Sequence, residues 1–482
     1  MTRSDQSAPT ITVLEGDGVG PEVVRSALTL IHATGVSLDC EFADAGGLAF
    51  ERGVTSGVPK ETVESIDRTR VVLKGPLATP IGEGGKSANV TLRKMFETFA
   101  NIRPARELPG IPTPYAGRGI DFVVVRENVE DLYAGIEHMQ TPNVAQCLKL
   151  VTRLGSRRIA HAGLALAQAQ GRTRATVATK ANIMKMTEGM FKREFEIAAC
   201  DYPNIETDHM LIDNCAHQLV MRPEQFDVII TTNMNGDILS DLASGLVGGL
   251  GFAPSANLGY DVAMFEAVHG TAPDIAGNDV VNPTAMILSA VMLLRHLSEF
   301  TAAEQLEQAL FVTLEQGIRT ADVPGPSPMG TQAFTEAVAA NIGARSSMPG
   351  RSHQDLKMPH IFGEDVDEAP GSRTKVGVDI FIETNESPDR VAHRLRTCTS
   401  GASFNLTMIS NRGTQVWPEP GTLPTCVDHY RCRFTFDETA PWSDEPVVDL
   451  LSRVGSVYRW MHVEKLEEHD GNATFTRAQG QN

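Results

Sequence analysis

His209–Asp241 reads HMLIDNCAHQLVMRPEQFDVIITTNMNGDILSD. Two short apolar runs, HMLID (209–213) and VIIT (228–231), are each followed by a longer helix-like stretch. Runs of this length have the dimensions of buried strands, and their alternation with helices predicts an α/β protein. The same rhythm extends outward through ITVL (11–14), VVLKG (71–75), FVVV (122–125) and TVAT (176–179).

A chain of 482 residues, 41% of them hydrophobic, can bury several cores. Acidic residues outnumber basic ones 60 to 42, a net charge of -18, with no Lys/Arg-rich block; nucleic acid is not an expected partner. The longest apolar stretch, Thr284 to Leu297, falls short of a bilayer span and reads as a buried helix. The polar N-terminus MTRSDQSAPT has no signal-sequence pattern, so a cytoplasmic location is expected. Seven cysteines (Cys40, Cys147, Cys200, Cys215, Cys398, Cys426, Cys432) form no CxxC pair, which argues against a disulfide framework and a zinc site.

Between Ala344 and Lys375 the chain turns rich in Pro, Gly, Ser and charge, and a domain boundary is expected there. Beyond it VGVDIFIET, FNLTMIS and YRCRFTF read as strands, Ser387-Pro388 opens a helix over DRVAHRLR, and DEPVVDLLSRVGSVYRWMHVEKL reads as a second helix. The order suggests a small split-βαβ sandwich.

Gly16-Asp17-Gly18-Val19-Gly20 imitates a dinucleotide-binding fingerprint after a strand. The spacing fails: Pro21 stands where the third glycine belongs and fixes a first helical turn.

Asp237 and Asp241 in GDILSD fall at i and i+4 on one helical face, where they are either solvated or neutralised by a hard divalent cation. Asp213 ends a strand-like run, a place that serves either function or a turn. Arg93, Arg103 and Arg126 carry forks suited to carboxylates. Ser87 and Asn89 stand at the start of a helix and could be caps. Tyr133 and Lys180 read alone as packing and surface residues.

Taken in order, GDGVGPE, LKGPLATP, KSANVTLRK, NIRP, RENVEDLYAG, TKANIMKMTEG, NGDILSD and HGTAPDIAG resemble the isocitrate/isopropylmalate dehydrogenase family over residues 10 to 343. MISNRGTQVWP, VDHYRCRF, LLSRVG and FTRAQG resemble the extra domain of the longer bacterial isocitrate dehydrogenases. The resemblance implies a large cofactor domain from residues 1–98 and 249–343 and a small domain from 99–248 with a dimer clasp. A linker over 344–374 and an α+β, ferredoxin-like domain over 375–482 follow.

It further implies oxidative decarboxylation of isocitrate in a homodimer or higher homo-oligomer. Arg93, Arg103 and Arg126 would hold carboxylates, and Ser87 and Asn89 would favour isocitrate over homoisocitrate or isopropylmalate. Asp213, Asp237 and Asp241 would gather Mg2+ or Mn2+. Lys180 would take the hydroxyl proton, and Tyr133, its pKa lowered by a nearby ammonium, would protonate the enol. Lys180 and Asp213 would come from the neighbouring chain. Thr79, His269, Gly270, Asp274, Ile275 and Asn282 would surround the cofactor; Asp274-Ile275 in place of a basic pair implies NAD. A catalytically silent regulatory subunit would have lost some of these residues, and none is missing. The C-terminal domain would either bind a regulatory small molecule or enlarge the subunit interface, and the lack of a ligand motif favours the second.

Overall fold

A computed structural model describes residues 8–79, 87–351, 353–367, 369–418, 422–436 and 444–479. Most of the N-terminal segment read above for targeting signals, residues 1–7, lies outside them. In chain order the strands are β1 Thr10–Leu14, β2 Asp39–Phe42, β3 Val71–Lys74, β4 Ala100–Arg106, β5 Asp121–Glu127, β6 Glu137–Thr141, β7 Val144–Cys147, β8 Arg174–Thr179 and β9 Glu206–Leu211. They continue as β10 Val228–Thr231, β11 Pro254–Leu258, β12 Ala263–Ala267, β13 Arg373–Glu383, β14 Phe404–Asn411, β15 Thr414–Trp417, β16 His429–Phe436, β17 Arg459–His469 and β18 Asn472–Ala473. The chain divides into two units: residues up to Ala134 with Lys149–Val366, and Gly135–Leu148 with Asp367 onward.

In the first unit ten strands form one sheet, ordered β2-β1-β3-β12-β11-β4-β5-β10-β8-β9. β3 and β10 are buried along their whole length because helices cover both faces, which is why their sequences are unbroken apolar runs. β4 runs antiparallel to both β5 and β11. Its register opposes Asn101 to Arg126 and Arg103 to Val124, so these residues share one face, while Ile102, Pro104 and Arg106 share the other with Val125, Val123 and Asp121. Phe122 and Val124 pack on the Arg103 face with Leu239 and Ala243 of the helix Asn233–Leu246. Val123 and Val125 join the main core on the opposite face.

The glycines after β1 serve the backbone. Gly16 and Gly18 have φ of +75° and +58°, and a Cβ on each would stand 2.4 Å from the Pro76 carbonyl oxygen and 2.0 Å from that of Thr271. Asp17 N donates to Pro76 O and Val19 N to Thr271 O, so the loop is stitched to its neighbours, and Pro21 stands in the first turn of the helix Gly20–Ala33.

The boundary region up to Val366 is irregular but packed on the first unit. Arg351 pairs with Asp121 at 2.5 Å, Gln354 N donates to Ala169 O, and His360 stacks on Tyr260 at 4.2 Å. Burial, reinforced by Arg295, Arg351, Arg172 and Arg106, pulls the His353 imidazole down to about 3. Above pH 6.5 both folded and unfolded chains leave it neutral. Below that the unfolded chain takes up a proton that the folded chain refuses until about pH 3. Stability therefore falls with falling pH across this window, by at most about 1.4 kcal/mol per pH unit. Calorimetry of His353→Gln should show a Tm that catches up with, or passes, the wild type between pH 6.5 and 4, and a constant difference above pH 7.

In the second unit, strands ordered β15-β14-β16-β13-β17-β18 form an antiparallel sheet, with the helices Pro388–Cys398 and Glu445–Gly455 giving the chain order β-α-β-β-β-α-β-β. Val378, Ile380, Leu395, Phe434 and Leu450 lie in its core. The expected second helix is half right: it ends at Gly455, and RWMHVEKL is strand β17. Ladder pairing with β13 from Arg373 to Glu383 overrides the local helical pattern there. The hairpin β6-β7 belongs to this unit, where Thr141 Oγ1 and Asn143 Nδ2 donate to the Asp428 carboxylate at 3.1 and 2.9 Å.

Candidate active site

β4 and β5 present Arg103 and Arg126 to the helix Asn233–Leu246, whose Asn233, Asp237, Ser240 and Asp241 form a polar stripe at i, i+4, i+7 and i+8. Arg126, 1% exposed, donates Nε and Nη2 to Asn233 Oδ1 at 3.0 and 2.7 Å, and its Nη1 pairs with Asp237. Arg103 Nη1 donates to Ser240 Oγ at 2.7 Å and lies 3.4 and 3.3 Å from the carboxylates of Asp237 and Asp241. Tyr133 O–H donates to Asp237 Oδ2 at 2.6 Å, with the Arg126 guanidinium 5.0 Å from its ring centre. Gly236 permits this approach: a Cβ there would stand 2.6 Å from Arg126 Cγ.

Arg93, on the helix Ala88–Met95, pairs with Glu266 at 3.2 Å, and Glu266 also pairs with buried Lys74 at 2.5 Å and accepts from Asn257 at 2.6 Å. Although burial works the other way, Lys74 and Arg93 hold Glu266 well below the usual carboxylate range. Burial, with repulsion from Arg126 and Arg93, pulls the Arg103 guanidinium down to about 10. Against burial, Arg126, the Tyr133 hydroxyl, Arg103 and Arg93 hold Asp237 below its ordinary value, whereas burial lifts Asp241. Nε of Arg93, Nε of Arg103 and Oδ1 of Asn89 are buried without a partner. Unused buried donors beside crowded cations are the state that an anionic ligand relieves.

Ser87 precedes the helix Ala88–Met95 but makes no side-chain cap bond, which weakens the capping alternative; its hydroxyl lies 3.3 Å from Thr79 Oγ1. His269 Nδ1 meets Gly270 O at 3.0 Å, and its Nε2 is buried and unpartnered. Burial, and more weakly Lys74, lowers the His269 pKa and keeps the ring neutral. Asn282 donates to Asp322 at 2.9 Å. Asp274 and Ile275 lie exposed on the single turn Pro273–Ile275.

Lys180 and Asp213 do not join the arginine cluster within the chain. They follow the adjacent parallel strands β8 and β9, where Thr179 opposes Leu211, and pair with each other at 2.9 Å. Among the described residues no three His, Cys, Asp or Glu side chains gather to hold a metal. One chain thus offers a divalent cation the hard oxygens of Asp237 and Asp241, both partly accessible, and leaves room for a further donor. Within one chain burial and the hydrogen bond to Asp237 raise the Tyr133 pKa, and among the described residues no ammonium contacts it; the expected lowering depends on Lys180 of a neighbouring chain.

Sequence reading missed Asn233, Ser240, Glu266 and Glu188. The first two share the helical period of Asp237 and Asp241, a signal that was there to use. Glu188, 0% exposed, accepts from Lys180 N at 2.8 Å and from Asn235 Nδ2 at 3.2 Å, tying the lysine loop to the carboxylate helix. Only tertiary pairing gives it, or Glu266, a role.

Comparison with known proteins matches residues 10–338 to the isocitrate/isopropylmalate dehydrogenase family and residues 373–481 to the bacterial isocitrate dehydrogenase C-terminal domain. A Thermus thermophilus protein named isocitrate dehydrogenase [NADP] is 57% identical over 98% of this chain and 96% of its own length. A Rickettsia bellii protein of the same name is 36% identical over 98% and 99%. The crystal structure of a Thermus thermophilus protein superposes with a TM-score of 0.95 at 56% identity, covering 98% of this chain and 96% of the other.

These names overturn the expectation of NAD, since relatives matched along nearly the whole chain are NADP enzymes. The inference rested on the Asp274 charge, and that carboxylate lies exposed on a surface turn, where water screens it. From the fold, the arginine and carboxylate cluster and these matches, the chain belongs to the isocitrate/isopropylmalate dehydrogenase family, in the long form that carries the bacterial isocitrate dehydrogenase C-terminal domain.

Proposed function

We propose that this protein catalyses the NADP- and divalent-metal-dependent oxidative decarboxylation of isocitrate to 2-oxoglutarate. The observation that carries this reading is the pairing of Arg103 and Arg126 with the Asp237–Asp241 pair, with Arg93, held by Glu266, adding its charge at Asp237 and with buried donors of Arg93 and Arg103 unused. Three cations match a substrate with three carboxylates. Thr79, His269, Gly270, Asp274, Ile275 and Asn282 would hold NADP, which would supply the hydride acceptor, and Asp237 and Asp241 would hold Mg2+ or Mn2+, which would supply Lewis acidity.

The remaining steps belong to side chains. The arginines orient the substrate, and Ser87 and Asn89 hydrogen-bond the carboxylate that distinguishes isocitrate from isopropylmalate. Lys180 takes the hydroxyl proton. After carbon dioxide leaves, Tyr133 protonates the enolate carbon, its O–H held in place beforehand by the hydrogen bond to Asp237. Lys180 and Asp213 act from a second copy of the chain, a reading supported by their mutual pairing and by the lack, among the described residues, of any side-chain bond from either to the arginine cluster. Residues 1–98 and 249–343 would then move against 99–248 as cofactor and substrate-closing parts.

Initial rates with isocitrate and Mg2+ test this reading. The expected result is reduction of NADP with a kcat/KM at least about tenfold above that for NAD, abolished by EDTA and restored by added Mg2+. Faster turnover of 3-isopropylmalate or homoisocitrate would overturn the substrate, and activity indifferent to EDTA would overturn the metal.

A further inference from the structure

Behind the catalytic arginines, across the sheet, lies a cavity of about 330 Å3. The alternation of β4 and β5 separates the two sites: Arg103 and Arg126 face the carboxylate helix, whereas Ile102, Pro104, Arg106, Asp121 and Val123 line the cavity. Its volume is in the range of small-molecule sites, roughly 300–1,000 Å3.

The lining is amphipathic. Leu166, Leu258, Phe265 and Met292 provide an apolar wall. At the polar end four guanidiniums, Arg106, Arg172, Arg295 and Arg351, face three carboxylates, Asp121, Glu307 and Asp355. The guanidiniums share their partners, and Arg172 also pairs at 2.9 Å with Asp227 outside the lining. Asp121 serves Arg172 at 3.0 Å and Arg351 at 2.5 Å, with Arg106 at 3.6 Å; Glu307 serves Arg295 at 3.0 Å, with Arg106 at 3.8 Å; Asp355 is exposed and accepts from Ser298 at 2.8 Å. Arg295 spends only Nη2 on Glu307, and Arg351 spends Nε and Nη2 on Asp121. The other N–H groups of these two residues meet no acceptor among the described residues. His353, in the same wall, reports the sign of the local field: burial first, then all four guanidiniums, disfavours its protonation.

We propose that this cavity is a binding site for a small organic carboxylate with an aliphatic body, separate from the catalytic site. The head group takes the unused N–H groups of Arg295 and Arg351, and the body lies against Leu166, Phe265 and Met292.

Octanoate is the probe, and octylammonium, of equal length and opposite charge, is its control. Calorimetric titration of the full chain should show one octanoate per chain and no binding of octylammonium. Arg351→Gln and Ala169→Leu, both outside the catalytic machinery, should weaken octanoate at least tenfold while turnover of isocitrate stays unchanged. Without any variant, the Met292 methyl resonance of wild-type protein should shift during the titration. Absence of octanoate binding, equal binding of octylammonium, an unmoved Met292 resonance, or affinity untouched by both substitutions would each overturn the proposal; the last would assign the acid to the catalytic arginines.

Discussion

Asp237→Asn is expected to lower kcat/KM for isocitrate about a thousandfold or more, equivalent to about 4 kcal/mol of transition-state stabilisation. Arg126, Arg103 and the Tyr133 hydroxyl all converge on its carboxylate. An amide keeps the shape but removes the charge that the cation needs and one acceptor, so the Mg2+ concentration for half-maximal rate should rise together with the loss in rate. Ser240→Ala, which removes a single hydrogen bond to Arg103, should cost only about tenfold. Tyr133→Phe and Asp237→Asn should be far from additive, because they share one hydrogen bond. Steady-state kinetics over a Mg2+ series, with thermal melts to establish folding, checks this. A folded Asp237→Asn protein within tenfold of the wild type would remove the cation from this helix and with it the proposed chemistry.

The limits of the sequence reading have physical causes. The apolar runs at 11–14, 71–75, 122–125, 176–179 and 228–231 are strands because a sheet covered on both faces demands continuous apolar side chains, which is a local signal. RWMHVEKL became a strand through pairing with β13, a partner some eighty residues away, and no local signal carries that. The carboxylate stripe follows the helical period, so Asp237 and Asp241 were found from spacing, and Asn233 and Ser240 were within reach of the same rule. Glu266 was not, because it becomes a brace for Arg93 only when β12 brings it to Lys74. Cofactor choice failed for a related reason: one charge at Asp274 was read as if its surroundings were fixed, yet its exposure leaves the charge screened.

Mixing two inactive variants should restore activity. Lys180→Met and Asp237→Asn would each be inactive as homo-oligomers, since every site loses one essential group. If Lys180 serves a site built on the other chain's Asp237, a heterodimer contains one site with both defects and one with neither. Random reassortment of equal amounts places about half the chains in heterodimers, each with one of its two sites intact, so about a quarter of wild-type activity should return. The bonding within one chain favours this arrangement, because among the described residues the Lys180 side chain bonds Asp213 and no member of the arginine cluster. Lys180 Nζ is held by Asp213 at 2.9 Å, and Tyr133, which the ammonium was expected to acidify, is instead bound to Asp237 with its pKa raised. A neighbouring ammonium that completes the site would reverse that shift, so heterodimers should also recover the wild-type dependence of kcat on pH. The measurement is activity after co-refolding or subunit exchange of tagged variants, with the heterodimer isolated by tandem affinity. Restored turnover places Lys180 in trans. A heterodimer as inactive as its parents would mean that the lysine and the aspartate pair act within one chain.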